Sequence, residues 1–216
     1  MGNPGRMTVL PTQKAPNRGG VRATQKARTR QRLIDAGRRL FAERGYEGTT
    51  VALLAAEAGV SPGLITAHFG SKAGLMFAIL TDQNAAQLDQ MASELPEGGT
   101  LRERLLRKLR TEYEHDLADP KLTAVLVSYS WVWPAETEAE NLLQRQAGDA
   151  LVRQILLEGA ARGEVAADAD LDAALTAIYA IYLWGLRPGF YEGAGAEDCL
   201  SRIAPQIDLI LRGLRA

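Results

Sequence analysis

The sequence has few of the residues that build crosslinked or metal-bound sites. Its 216 residues include one cysteine, Cys199, and two histidines, His68 and His115. A single cysteine excludes an intramolecular disulfide and a cysteine-based zinc cluster, and it is typical of a protein in a reducing compartment. Two histidines are too few for a histidine metal cluster, and no cofactor-binding motif is present. We therefore expect no metal and no cofactor.

Long apolar runs and alternating patterns are also missing. No apolar run reaches the ~18 residues that cross a bilayer, so we expect no membrane span and a cytoplasmic protein. No stretch alternates apolar and polar residues with the period of a strand. After residue 28, apolar residues recur instead at three- and four-residue spacing. This pattern predicts an all-α fold of about nine helices.

The net charge of -1 hides two oppositely charged parts. Residues 1–75 contain twelve Lys and Arg against four Asp and Glu, whereas residues 76–216 contain thirteen against twenty-two. A basic part of this kind is suited to a polyanion, and the acidic part is kept away from it. Residues 1–30 have seven basic residues and no acidic one. We predict a disordered basic tail over residues 1–25, which is either a solvated segment or an arm that touches DNA.

Residues 51–70 have the layout of a helix-turn-helix. A first helix is expected at Arg28–Arg44, followed by a helix at Val51–Ala58, a turn at Gly59, and a third helix with Ser61 as its N-cap and Pro62 at its first position. Such short helices are stable only when packed together. The residues expected to face inward are Leu54, Ala55, Ala58, Val60 and Ile65.

The third helix is the candidate DNA-reading element, because a helix-turn-helix inserts its second helix into the major groove. An ordinary pair of packed helices is the alternative, and the adjacent positive charge favours DNA. The residues expected to face outward, with the N-cap, are Ser61, Pro62, Gly63, Leu64, Thr66, Ala67 and His68.

Residues 29–80 resemble the DNA-binding domain of the TetR family of transcriptional regulators. The matching segments are residues 40–46 (LFAERGY), 49–51 (TTV), 55–61 (AAEAGVS), Gly63, 68–72 (HFGSK) and Leu75. The resemblance implies a three-helix DNA-binding domain, placed here at residues 26–72, and a helical domain for dimerisation and effector binding at residues 73–216. It also implies that Thr49 or Thr50 caps the second helix and touches a phosphate, and that Lys72 contacts another. The family usually has a tyrosine where this chain has Thr66, so operator preference is expected to differ.

The acidic part offers its own support for a homodimer. The helix expected from Asp170 to about Leu186 is apolar on nearly all sides, and such a helix must be buried on all sides. A partner subunit provides this burial readily, although a monomeric core is the alternative. The residues expected at the dimer interface are Leu183, Leu200, Ile203, Ile207 and Leu211.

An effector pocket is expected among the aromatic residues, most of which follow residue 100. Tyr and Trp combine a large apolar body with a polar group, which suits a binding pocket and an ordinary core equally well. Few charged residues occur in residues 122–133 and 175–184, so a small, mostly apolar ligand is expected. The candidate pocket residues are Tyr113, Tyr129, Trp133 and Tyr179.

The leading hypothesis is a homodimeric repressor that binds a palindromic double-stranded DNA operator and is released by a small molecule. A constitutive or architectural DNA-binding protein without an effector is the alternative. A helical enzyme is more remote, because no catalytic motif is present.

Overall fold

The computed structural model describes residues 18–93 and 98–215, and all regular structure within these ranges is helical. The predicted all-α fold is confirmed. The described helices are α1 (Arg18–Arg44), α2 (Val51–Ala58), α3 (Gly63–Phe69), α4 (Lys72–Ser93), α5 (Leu101–Asp116), α6 (Pro120–Ser130), α7 (Ala135–Ala161), α8 (Leu171–Gly185), α9 (Arg187–Glu192) and α10 (Ala196–Gly213). These are ten segments where about nine were expected, because α9 forms within a stretch predicted to be a loop.

Local capping residues start several helices as expected. The Thr100 side chain accepts from the backbone N–H of Glu103, whose own side chain accepts from the backbone of Thr100. Asp119 caps α6 by accepting from Leu122, and Asp170 caps α8 in the same way. These bonds satisfy N–H groups that have no partner inside the helix.

Helix α1 is longer than the sequence pattern indicated. It begins at Arg18 rather than near residue 28, so the prediction of disorder is wrong for residues 18–25. Residues 22–28 are all exposed, and Thr29 is the first buried position. The extension adds to an already packed helix, where each further residue avoids the cost of nucleation. Residues 1–17 lie outside the described residues, so the prediction for them is untested.

The buried residues form two clusters, which we call the head core and the body core. The head core joins α1, α2, α3 and the first turns of α4, and it also contains Leu122 and Leu126 of α6. The body core joins α5, α7, α8 and α10. Helix α6 therefore packs into the head although it follows α5 in the chain.

Two smaller sequence questions are answered by the helix boundaries. Pro205 lies inside α10. Among the described residues, no single helix is long and apolar enough to cross a membrane, and α2 and α3 meet that test only as a pair bent by 94°.

Candidate nucleic-acid interface and ligand cavity

The turn between α2 and α3 depends on Gly59. This residue has φ 61° and ψ 44°, the left-handed region that favours glycine. Its N–H and that of Val60 donate to the carbonyls of Ala56 and Ala55 at 3.1 and 2.9 Å, which closes the end of α2. Arg32 of α1 donates to the carbonyl of Gly59 at 3.0 Å and to that of Ala58. The turn is therefore held by its own backbone and by α1.

The inward and outward faces of the helix-turn-helix agree with the sequence pattern. Leu54, Ala55, Ala58 and Ile65 are buried, and Val60 packs against the head core. Of the predicted DNA-facing residues, Ser61, Pro62, Gly63, Thr66 and Ala67 are exposed, and Leu64 and His68 are half-buried. Pro62 already has helical φ and ψ of −55° and −35°, and no side chain caps α3. The expected N-cap bond from Ser61 is absent.

The two threonines before α2 have different environments. Thr50 is exposed and caps α2 by accepting from the backbone N–H of Leu53 at 3.2 Å. Thr49 is fully buried, and its hydroxyl donates to the carbonyls of Leu40 and Gly45 at 3.0 and 2.8 Å. The prediction of a phosphate contact is therefore wrong for Thr49, because the hydroxyl closes the turn after α1. Thr50 remains a candidate contact.

Lys72 holds the head together before any DNA is bound. Its Nζ donates to the carbonyls of Tyr46 and Thr49 at 2.8 and 3.0 Å and lies 3.8 Å from the centre of the Tyr46 ring. An ammonium group has three N–H bonds, so one is left for a phosphate. The predicted phosphate contact stays possible for this residue, but its first role is to tie α4 to the turn after α1.

The remaining basic residues of the head divide into paired and unpaired groups. Arg38 and Arg39 form ion pairs with Asp82 and Glu57 at 2.7 and 2.8 Å. By contrast, four exposed cations on the N-terminal half of α1 have no carboxylate within 4 Å among the described residues: Arg22, Lys26, Arg28 and Arg30. Arg30 lies 5.4 Å from the ring of Phe69, at the end of α3.

These four cations are the DNA-contact candidates that the residue-level prediction missed. The available signal is the acid-free run of basic residues at the N-terminus, whose residues 1–25 were predicted to be a basic tail that is either solvated or touches DNA. In the structure its second half is the first part of α1.

The fold and this surface define a helix-turn-helix DNA-binding protein. Residues 33–79 match the family model described as "Bacterial regulatory proteins, tetR family". Residues 33–79 are therefore a DNA-binding domain of the TetR family of transcriptional regulators.

Sequence similarity to known proteins is lower when the alignment extends beyond the head. The HTH-type transcriptional repressor AcnR of Corynebacterium efficiens is 27% identical over 87% of this chain and 93% of its own. AcnR of Corynebacterium glutamicum is 44% identical over 66 residues, so this chain matches only 35% of that relative's length. The solved structure of FadR from Bacillus subtilis in complex with stearoyl-CoA has a TM-score of 0.70 at 20% identity, covering 86% of this chain and 99% of that one. At this identity the structural likeness establishes the shared fold.

A cavity of about 180 Å³ lies in the body between α5, α6, α7 and α8. Trp133 and Tyr179 line it, as predicted. Tyr113 does not, because it is fully buried, stacks on Tyr182 and donates to the Tyr182 carbonyl at 3.0 Å. Tyr129 does not line it either: its ring stacks on Tyr46 at 3.7 Å, against the head. The pocket prediction is therefore wrong for these two tyrosines.

The cavity is more charged than the sequence analysis expected. Its charged lining residues are Lys108, Glu112, Asp116, Arg145 and Asp149. These charged residues come from α5 and α7. The expectation of a mostly apolar ligand was based on the few charged residues in segments of α6 and α8. Burial raises the pKa of Asp116 to about 6 and also raises the pKa of Glu112.

The predicted dimer-interface residues lie mostly inside the subunit. Leu200, Ile203, Ile207 and Leu211 are buried in the body core, so they cannot face a partner and the prediction is wrong for them. The apolar stripe of α10 packs on α5 and α8 instead. Leu183 is half-buried and lines the cavity.

Proposed function

We propose that this regulator is a homodimeric repressor that leaves a palindromic operator when a small molecule binds in the body cavity. The observation that carries the proposal is the double role of α6. Leu126 belongs to the head core and also lines the cavity, so one helix contacts both the DNA-reading unit and the ligand space. A ligand that repositions α6 acts directly on the packing of the head.

A second contact follows the same route. The Tyr129 hydroxyl donates to the Tyr46 hydroxyl at 2.8 Å, and the two rings stack. Tyr46 in turn accepts the Lys72 ammonium at its carbonyl and over its ring. The chain of contacts runs from α6 to the start of α4, beside α3. The ligand releases DNA if it favours the arrangement in which the two reading helices no longer match the operator.

The dimer surface we propose is the outer face of α8 and α10. Both helices leave apolar residues exposed there: Trp184 on α8 is 70% exposed, and Leu209 on α10 is 61% exposed. The smaller residues Ala173, Ala180 and Pro205 are exposed on the same helices and permit close approach. Two-fold symmetry then places two copies of α3 about 34 Å apart or a multiple of it, on one side of the duplex.

The relatives support repression and ligand control without identifying the ligand. AcnR is named a repressor, and FadR was solved with stearoyl-CoA. A repressor of this kind acts at the bacterial nucleoid, in the cytoplasm. The cavity volume of about 180 Å³ is below the roughly 300–1,000 Å³ of usual drug-sized ligand sites, so the cavity by itself is too small for an acyl-CoA.

Selection of bound DNA from a random pool tests the DNA half of the proposal. We expect a palindromic site, and its affinity should fall steeply with salt because phosphates are neutralised by the head. Recovery of sequences without two-fold symmetry would contradict the operator proposal.

Release of that site across a compound library tests the ligand half. A repressor should lose the operator in the presence of compounds that also raise its thermal midpoint, since a ligand that binds the folded state stabilises it. A protein that binds compounds without any change in operator affinity would instead be the constitutive DNA-binding protein considered above.

A further inference from the structure

The charges that line the body cavity do not balance. There are three carboxylates, Glu112, Asp116 and Asp149, and two cations, Lys108 and Arg145. Lys108 is buried and pairs with Glu112, one helical turn away. Arg145 lies 3.8 Å from Asp149, and its guanidinium covers the ring of Tyr179 at 4.7 Å. Each cation therefore already has an acidic partner.

Asp116 is the carboxylate without a cation. Its Oδ2 accepts from the Tyr182 hydroxyl at 2.7 Å. Among the described residues, Asp116 forms no ion pair within 4 Å, and Lys108 lowers its pKa only through space. The side chain is half-buried, and this burial raises its pKa to about 6. A buried charge in this position is costly unless something positive is placed beside it.

A second unpaired acceptor lies at the same cavity. The Oε1 atom of Gln83, on α4, is buried and has no hydrogen-bond partner among the described residues. Buried acceptors are normally satisfied by a donor from protein, water or ligand. The cavity thus presents a carboxylate without an ion-pair partner and an amide oxygen without a hydrogen-bond donor among the described residues.

We infer that the cavity takes a small organic cation, with its ammonium group on Asp116 and its apolar body between Trp133 and the aliphatic lining of α6 and α8. This inference rests on the proposed function for its regulatory meaning, since it names the chemical class of the effector. An ammonium supplies both things that Asp116 lacks, a positive charge and N–H donors. A carboxylate or phosphate ligand would instead place like charges together.

The cavity volume limits the size of this cation. A protein cavity of about 150 Å³ holds one benzene molecule, and this one measures about 180 Å³. It therefore accommodates one ring with a short amine-bearing chain. A groove of about 950 Å³ on the same side of the body shares Arg145, Asp149 and Tyr179 with the cavity. A substituent on the ring has room to extend there.

Three matched probe sets test the charge requirement on the full-length protein. The amines are benzylamine, phenethylamine and tryptamine; the neutral set is the corresponding alcohols; the anionic set is the corresponding carboxylates. Calorimetry should show the best amine binding about tenfold or more tighter than its alcohol, since a charge-assisted bond in a buried site is stronger than a neutral one. The carboxylates should bind more weakly than both.

The Asp116→Asn variant tests the assigned residue. Asparagine can still accept from Tyr182, so the fold is retained, and circular dichroism checks this. The variant should lose the amine preference and bind the alcohol as the original protein does. Glu114→Gln is the matched control, because Glu114 is an exposed acid on the same helix, and it should leave both affinities unchanged.

Three results would overturn the inference: alcohols or carboxylates that bind as tightly as the amines, an unchanged amine preference in Asp116→Asn, or no binding by any amine. Failure of the proposed function has a different signature. If amines bind through Asp116 but do not release the selected operator, the ligand class stands and the repressor mechanism fails. If only a neutral or anionic compound releases the operator, the mechanism stands and the cation assignment fails.

Discussion

The head and the body bury their residues in different ways. Among the described residues of the head, no charged side chain is buried, and buried Thr49 has two internal hydrogen bonds. The body core surrounds a cavity and encloses charged groups, including Arg104 and Lys108. A unit that reads DNA must keep its reading helix in one position, which dense packing ensures. A unit that responds to a ligand needs a cavity and side chains, such as buried charged ones, whose interactions the ligand alters.

The two regions meet at α6, so they are not independent. Leu122 and Leu126 complete the head core, while Thr123 and Ser130 line the cavity from the same helix. The difference in packing therefore suggests how a signal passes: the body rearranges, and α6 moves a head that is too tightly packed to deform.

The largest expected effect comes from loosening the head. Leu54→Ala removes a fully buried side chain and should lower the free energy of unfolding by about 2–5 kcal/mol, with loss of operator binding. Leu53, its neighbour in α2, is 36% exposed, and Leu53→Ala should cost under about 1 kcal/mol. Denaturant unfolding measures both. Equal costs for the two variants would contradict the dense packing of the head.

The second effect concerns the buried charge in the body. The folded pKa of Asp116, about 6, lies above its reference of 3.8, so the folded state binds the proton more tightly and loses stability as pH rises through this window. Asp116→Asn removes that loss and should raise the free energy of unfolding at pH 8 by up to about 3 kcal/mol. Below pH 4 the variant and the original should be alike.

Unfolding curves from pH 4 to pH 8, with Glu114→Gln as the control, measure this difference. A variant that is destabilised at pH 8 would show that the Asp116 carboxylate is favourably paired. That result would contradict the statement that the body, unlike the head, encloses a charge that costs stability.

A smaller effect is expected at the junction between the regions. Tyr129→Phe removes the hydroxyl that donates to Tyr46 and should cost about 0.5–1.5 kcal/mol. It should also reduce the effect of a ligand on operator affinity, while Tyr191→Phe, at a side chain that is 75% exposed, should change neither. Operator affinity measured with and without ligand, for both variants, tests this expectation. Unchanged coupling in Tyr129→Phe would remove this contact from the route.

The smallest effect on stability is expected on the extension of α1. Arg22 and Lys26 are both exposed, so replacing both with alanine should leave the free energy of unfolding unchanged. The slope of operator affinity against salt concentration should become shallower, as expected for the loss of about two phosphate contacts. Lys121→Ala, on the exposed surface of α6, is the control on the body side and should not alter the salt slope. An unchanged slope in the double variant would show that α1 stays off the DNA.

Interactions between near neighbours were predictable. The turn at Gly59 was expected from spacing, and the helix expected from Asp170 is capped by that residue. The errors at the candidate sites concern which residues another element covers, whereas the start of α1 and the cap of α3 were misjudged from local pattern. Thr49 and Thr50 are adjacent and chemically identical, yet one is buried and the other exposed, because the end of α1 covers only one of them.

Most of the helices, the helix-turn-helix and the charge division between head and body follow from the order of the residues, because they depend on periodicity, caps and composition along the chain. Folding decides that α6 packs on the head, that the apolar stripe of α10 is internal, and that Asp116 has no ion-pair partner among the described residues. Those facts depend on which distant segments pack together, and residues from α4, α5, α7 and α8 meet at the cavity only in the folded chain.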